Sequence, residues 1–159
     1  MIKFFENNCL ISERQFGFSE GKSADQLSLQ LVNKIRHLLT LDESRAVTLA
    51  ALNIRKAFDC INHDILIDKL ISCFNFGGDA SAFIKNYLTQ RSQAMKINGV
   101  ISSMENIVTG VPRGSVHGPL LSIAFINDLT ELENCFLFAD DCLLIAGGKN
   151  PSLATANME

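Results

Sequence analysis

No stretch of this sequence stays apolar long enough to cross a bilayer. Its longest largely apolar runs, Ala46–Leu52 and Ile123–Ile126 with their flanks, fall short of the roughly 18 residues a span requires. The opening residues, MIKFFENNCLISERQ, carry acids and amides where a secretory leader would carry a long apolar segment. An intracellular chain, cytoplasmic or nuclear and not secreted, is therefore expected. Cysteine is sparse and scattered: five residues, at positions 9, 60, 73, 135 and 142, with no C-x-x-C pair. That odd, unpaired set argues against both a disulfide framework and a zinc site. Charged residues make up 19%, below the roughly 25% usual in soluble domains. With 47% apolar residues, so little charge excludes disorder of the chain as a whole. A net charge of −3 excludes a uniformly basic nucleic-acid coat. No internal repeat is visible. What remains is a chain of 159 residues, the size of one domain and able to bury a core without disulfides or a structural metal.

The charge is unevenly spread. Residues 1–81 sum to −1, residues 82–118 to +3 and residues 119–159 to −5. The basic middle is made by Lys85, Arg91, Lys96 and Arg113. A basic stretch beside an acidic end suits a protein that holds a polyanion near a divalent metal, although ordinary surface variation gives the same figures.

The apolar periodicity places elements along the chain. After a short amphipathic start and a glycine-punctuated loop, Ser23-x-x-Gln26 has capping-box spacing and opens a helix with Leu27, Leu31, Ile35 and Leu38–Leu39 on one face. Asp42-Glu43-Ser44 ends it. The nearly all-apolar residues 45–54 fit a buried strand best by their length, although periodicity alone leaves a helix open. Asn62 or Asp64 caps a second helix through Phe74, with Ile65, Leu66, Leu70 and Phe74 inward. Asp79 caps a third through Leu88, with Phe83, Tyr87 and Leu88 apolar. Asn98-Gly99 between QAMKI and VISSM predicts a type I′ hairpin, because both residues tolerate positive φ. Gly110–Gly118 must be a loop, and His117–Leu129 a helix with Pro119 in its first turn. Cys135–Phe138 and Cys142–Ile145 form a tight hairpin around Ala139-Asp140-Asp141. Gly147-Gly148 and the tail to Glu159 look frayed. Helices alternating with strands and hairpins give α+β or α/β around a small sheet.

Three places could carry chemistry. Asp140-Asp141 sits between apolar strands, a rigid platform of the kind that holds a hard divalent cation, though Asp is also a plain turn residue. Polar residues from Asn53 to Asp59 appear abruptly where the strand ends, a frequent site of function and equally just a strand reaching water. Gly110–Gly118 could bring backbone N–H groups close to a phosphate or base, or be a bare connection.

Taken in order, LNIRKAFDCINHDIL, YLTQRSQAMKINGV, VTGVPRGSVHGPLLSIAFINDL and FLFADD resemble the reverse transcriptase domain of non-LTR, jockey-like retrotransposons. Upstream, NNCLISERQFGFSEGKSADQL looks like that family's entry into the fingers, so the similarity runs from about Phe4 to Ala146. The resemblance implies an α+β fold, the fingers–palm portion of a right-hand polymerase, with a small antiparallel palm sheet packed on helices. It divides the chain into a partial fingers region (1–44), a palm core with inserted helices and hairpin (45–146) and a frayed tail (147–159), with the thumb absent. It implies RNA-templated DNA synthesis from deoxynucleoside triphosphates on a DNA primer, with two Mg²⁺ ions and no membrane. By similarity Asp140 and Asp141 would be catalytic metal ligands in the palm hairpin, Asp140 chiefly. Phe58 would lie under the sugar and exclude a 2′-OH. Arg113 and Gly114 would lie over the incoming nucleotide, and the Gly99 hairpin near the template–primer track. Lys85, Arg91 and Lys96 would bind nucleic acid; the alternative is a non-catalytic remnant that holds an RNA–DNA backbone through these three and Arg113.

Two doubly charged ions about 3.5–4 Å apart repel by roughly 5 kcal/mol even at the dielectric of water, so carboxylates must screen them. The family's strand supplies an acid five residues before the aromatic; here that position is Asn53, whose neutral amide offers one carbonyl oxygen. Nucleotidyl transfer is therefore expected to be lost or very weak. Asp59, six positions on, is not expected to substitute. Arg113 stands where the family has Gln, Ser19 where it has Arg, His117 for an aliphatic and Ser122 for an apolar residue. Eighteen residues follow Asp141, and nothing resembling an endonuclease precedes Met1.

Overall fold

The computed structural model describes residues 2–41 and 44–158. In chain order the elements are α1 (Ile2–Asn7), α2 (Ala24–Thr40), β1 (Ala46–Asn53), α3 (His63–Ser72), α4 (Gly78–Leu88) and β2 (Arg91–Gln93). There follow β3 (Lys96–Ile97), β4 (Val100–Ile101), β5 (Glu105–Ile107), α5 (Gly118–Phe125), β6 (Cys135–Phe138), β7 (Asp141–Gly148) and α6 (Pro151–Ala156). A 3₁₀ turn at Asn127–Glu131 precedes β6. Among the described residues no helix is long and apolar enough to cross a membrane. The chain divides into two compact units, one of Met1–Leu10 and Lys56–Phe125, the other of Ile11–Arg55 and Ile126–Glu159.

The second unit is an antiparallel sheet in the order β1-β7-β6, packed by α2 and α6. Both arms of the predicted capping box form: Ser23 Oγ accepts from the Gln26 N–H at 3.3 Å, and Gln26 Oε1 accepts from the Ser23 N–H at 3.1 Å. Leu27 and Leu38 then pack with Phe16, Phe136 and Ile145, while Leu31, Ile35, Val47 and Leu143 close around them. Leu39, expected on that face, is half exposed. Asp42 and Glu43, read as the helix end, lie outside the described residues; α2 is capped at Leu41.

The strand expected within residues 45–54 is β1, but it is not buried on both faces. It is an edge strand, and Leu49 and Leu52 stay half exposed. An all-apolar composition does not reveal whether a strand lies in the middle of a sheet or at its margin. The tail is also more ordered than expected. Gly147 and Gly148 pair with Val47 and Ala46, and Asn150 caps α6 by accepting from the Leu153 N–H at 2.9 Å. Glycine serves the close approach here, since a Cβ on Gly148 would meet the Ala154 backbone.

The first unit is helical, with two small ribbons, β2-β5 and β3-β4. Its core holds Phe5, Ile61, Leu66, Leu70, Phe74, Ile84, Leu88, Leu121 and Ile123. Phe5 meets Phe74 edge-on with centroids 5.0 Å apart, a favoured aromatic geometry. Asn62 caps α3, its Oδ1 accepting from Asp64 and Ile65 N–H groups at 2.9 and 3.1 Å. The helix stops at Ser72, and Ile65 faces outward. Gly77, not Asp79, precedes α4; Asp79 lies in its first turn, where a carboxylate suits the helix dipole. Ile84 and Leu88 are the buried residues of α4, whereas Phe83 is exposed. The predicted helix at 117–129 is shorter, ending at Phe125 before the 3₁₀ turn.

Candidate active site

In the second unit, the end of β1 and the start of β7 meet in register, Asn53 opposite Asp141. The Asn53 side-chain Nδ2 donates to Asp141 Oδ1 at 3.0 Å, and the Ile54 N–H donates to the Asp140 carbonyl at 3.1 Å. An ionised carboxylate can only accept, so the amide must turn its NH₂ toward it. Asp141 also pairs with Phe138 across β6, leaving Ala139-Asp140 as a two-residue turn. Asn53 and Asp141 are exposed; Asp140 is half-buried. Asn53 and Asp141 line a groove of about 440 Å³ together with Leu27, Leu31, Leu52 and Leu143.

These residues do not suit a pair of divalent cations. Two carboxylates come from adjacent positions of one hairpin, and the third group is a neutral amide presenting a donor. Among the described residues, no three His, Cys, Asp or Glu side chains gather where they could hold a metal ion.

The turn itself is braced from the loop before α2. Gln15 is wholly buried, and its Oε1 accepts from the Gly17 N–H at 2.8 Å and the Ala139 N–H at 3.0 Å. The Lys22 ammonium donates to the carbonyls of Ser12, Glu13 and Gln15 at 3.3, 2.7 and 2.9 Å. Burial lowers the pKa of Lys22, with Glu13 opposing. Neither Gln15 nor Lys22 stands out in the sequence, since single polar residues in a loop carry no periodic or spacing signal.

In the first unit, the glycine-bearing loop is fastened to the segment around Phe58. The Gly110 and Val111 N–H groups donate to the carbonyls of Ile61 and Phe58 at 2.7 and 2.8 Å, and Thr109 Oγ1 donates to the Asp59 carbonyl at 3.0 Å. Gly110 has φ +87°, and a Cβ there would lie 2.8 Å from the Phe58 carbonyl oxygen. Arg113 makes a two-pronged ion pair with Asp59, Nε to Oδ1 at 3.0 Å and Nη2 to Oδ2 at 2.5 Å. The guanidinium at 113 is thus partly neutralised, and Asp59 is its partner. The sequence offered both charges, but not that a loop fifty residues on would join them.

Asp59, Arg113 and Arg91 line a cavity of about 600 Å³. Arg91 lies 4.8 Å over the Tyr87 ring and donates from Nε to the Tyr87 carbonyl at 2.7 Å. Lys85 on α4 and Lys96 on β3 are exposed and are not among the residues lining that cavity. Gly114 takes φ +72° with open space around it, and Phe58 is half-buried.

The reverse transcriptase (RNA-dependent DNA polymerase) family matches residues 1–158. The chain belongs to this family. The chain is 30% identical over 134 residues to the probable RNA-directed DNA polymerase from transposon X-element of Drosophila melanogaster, covering 82% of this chain and 14% of that protein. It is 28% identical over 160 residues to the RNA-directed DNA polymerase from mobile element jockey of the same fly, covering 94% of this chain and 17% of that one. It is thus a reverse transcriptase domain of the non-LTR, jockey-like kind, spanning about a seventh of the length of these curated relatives.

Among solved structures it is similar to telomerase from Candida albicans in complex with a TWJ fragment of telomeric RNA. The TM-score is 0.68 at 11% identity, covering 99% of this chain and 31% of that one. Telomerase from Candida tropicalis matches with TM-score 0.68 at 10% identity, over 98% and 29%. At such identities the likeness speaks for fold alone. That fold is α+β, the fingers–palm portion of a right-hand polymerase.

Proposed function

We propose that this chain descends from an enzyme copying RNA into DNA from deoxynucleoside triphosphates, and that its own nucleotidyl transfer is lost or very weak. In this reading residues 1–44 contribute fingers and 45–146 the palm, Asp140 and Asp141 are the remaining acids of the centre, and Asn53 is its degenerate member. Phe58, Arg113 and Gly114 face the nucleotide. Template RNA and a DNA primer are held inside the cell, in cytoplasm or nucleus. The observation that carries the reading is the 3.0 Å bond from the Asn53 amide to Asp141. It puts a hydrogen-bond donor where bridging cations would need a third carboxylate.

Reversion of Asn53→Asp tests this. Primer extension on an RNA template with Mg²⁺, and Mn²⁺ binding followed by electron paramagnetic resonance, should both rise in the variant by about 100-fold or more, since even indirect changes at metal sites cost 10–100-fold. Extension by the unaltered chain at the variant's rate, or equal Mn²⁺ affinity in the two, would reject the proposal.

The +3 charge of residues 82–118 favours a second reading, a non-catalytic holder of an RNA–DNA backbone through Lys85, Arg91 and Lys96. Its mark is binding that weakens steeply with salt and needs no Mg²⁺.

A further inference from the structure

A glutamine with no exposed surface is rare unless every polar atom is engaged. Gln15 is such a residue, and its engagement is directed at one place. Its Oε1 is shared by the N–H groups of Gly17 and Ala139, and its Nε2 faces the Ala139 carbonyl at 3.5 Å. Ala139 has φ +54°, a left-handed conformation that is unfavourable for a residue bearing a Cβ. The turn therefore does not hold itself. On either side of Gln15 the chain runs along β6 like a further strand: the Phe16 N–H donates to the Leu137 carbonyl at 2.8 Å, and the Leu137 N–H donates to the Arg14 carbonyl at 2.9 Å. Gly17 completes the contact, since a Cβ there would sit 2.1 Å from the Ala139 nitrogen. The bracing segment is itself anchored. Lys22 gathers three of its carbonyls, Ser19 Oγ donates to those of Gln15 and Gly17 at 3.3 Å, and Arg14 Nη1 donates to the carbonyls of Thr130 and Leu132 at 3.1 Å.

We propose that Gln15 is a positioning residue: it fixes the backbone at Ala139, and through it the presentation of Asp140 and Asp141. Its functional meaning rests on the reading that this turn is the nucleotidyl-transfer end of the palm. Its physical content does not.

The first measurement needs no variant. In amide hydrogen exchange, the Ala139 N–H should be at least about tenfold better protected than the N–H of Gly99, which sits at the tip of an exposed turn. Equal exchange at the two overturns the proposal. Gln15→Met keeps the side-chain length and removes the acceptor. It should abolish protection at Ala139 while the Ile145 and Arg45 amides, bonded to Asn134 and Gly148, keep theirs. Gln15→Glu still offers a side-chain oxygen as acceptor and should restore Ala139. Loss of protection across the whole sheet in Gln15→Met, with no rescue by Gln15→Glu, would mark Gln15 as ordinary core and overturn the proposal. In the Asn53→Asp background, Gln15→Met should lower kcat for primer extension about tenfold with the nucleotide KM unchanged. If Asn53→Asp gains no extension while the exchange pattern holds, the polymerase reading fails and the bracing role of Gln15 stands.

Discussion

Among the described residues, two hairpin turns of two residues each are built in opposite ways. Asn98-Gly99 joins β3 to β4 with φ values of +50° and +85°. These are residue types that enter the left-handed region at little cost, and the turn is determined by its own two side chains. Around it Ile97 and Val100 remain exposed. Ala139-Asp140 joins β6 to β7 with an alanine at φ +54°, between strands whose Cys135, Leu137 and Cys142 are buried. Here the conformation is imposed by Gln15, 124 positions away in the chain. A turn that carries its own geometry can afford an unsupported ribbon; one that borrows its geometry needs a core on both sides.

The sharpest way to break this contrast is thiol labelling under native conditions. Cys142 should react about 1000-fold or more slowly than a cysteine placed at Val100→Cys, because it opens only with the sheet. Located by mass spectrometry, comparable rates at the two would show that the braced hairpin is no firmer than the free one. Raising the pH narrows the gap. Burial, with the Cys142 thiol as hydrogen-bond partner, pushes the Cys135 thiol from 9.0 up to about 12. The folded chain then keeps a proton that the unfolded chain releases. That stability is complete below about pH 9 and is lost as pH rises toward 12.

Next in size is Gly17→Ala. Its Cβ would meet the Ala139 backbone, which cannot move like a flexible side chain, so a loss of about 3 kcal/mol is expected. Thermal melting followed by circular dichroism measures it. The matching change in the other hairpin, Gly99→Ala, has open space and only an unfavourable φ against it, and should cost about 1 kcal/mol without altering Cys142 protection. Smallest is a gain: Ala139→Gly relieves the left-handed alanine and should stabilise by about 0.5–1 kcal/mol. A loss there would mean that the Ala139 methyl contributes more to packing than its backbone conformation costs.

The same contrast explains what could be read from the sequence. The Ser23–Gln26 capping box, the Asn62 cap, the Asn-Gly hairpin and the paired apolar runs at β6 and β7 are written in neighbouring residues, and all form. Exposure is not written locally. Ile65 and Leu39 match the helical period but face outward, and β1 reads as buried while lying at a margin. At the candidate site, the proximity of Asn53 to the Asp140-Asp141 turn followed from the family resemblance, and register pairing bears out the proximity. The joining of Arg113 to Asp59 and of Gln15 to Ala139 is tertiary, between residues of ordinary type, and no spacing announces it.

The order in which the units are threaded has a consequence for synthesis. The sheet bearing Asp141 takes its first strand before, and its other two after, the roughly 70 residues from Lys56 to Phe125. On the ribosome, residues 11–55 must therefore wait, with an apolar strand unmatched, until residues 135–148 emerge. Drawing such a loop shut carries an entropic penalty of about 4 kcal/mol. The acidic turn is thus completed only after the whole inserted segment has been made, and a nascent chain halted before Ile126 can assemble neither the sheet nor its brace.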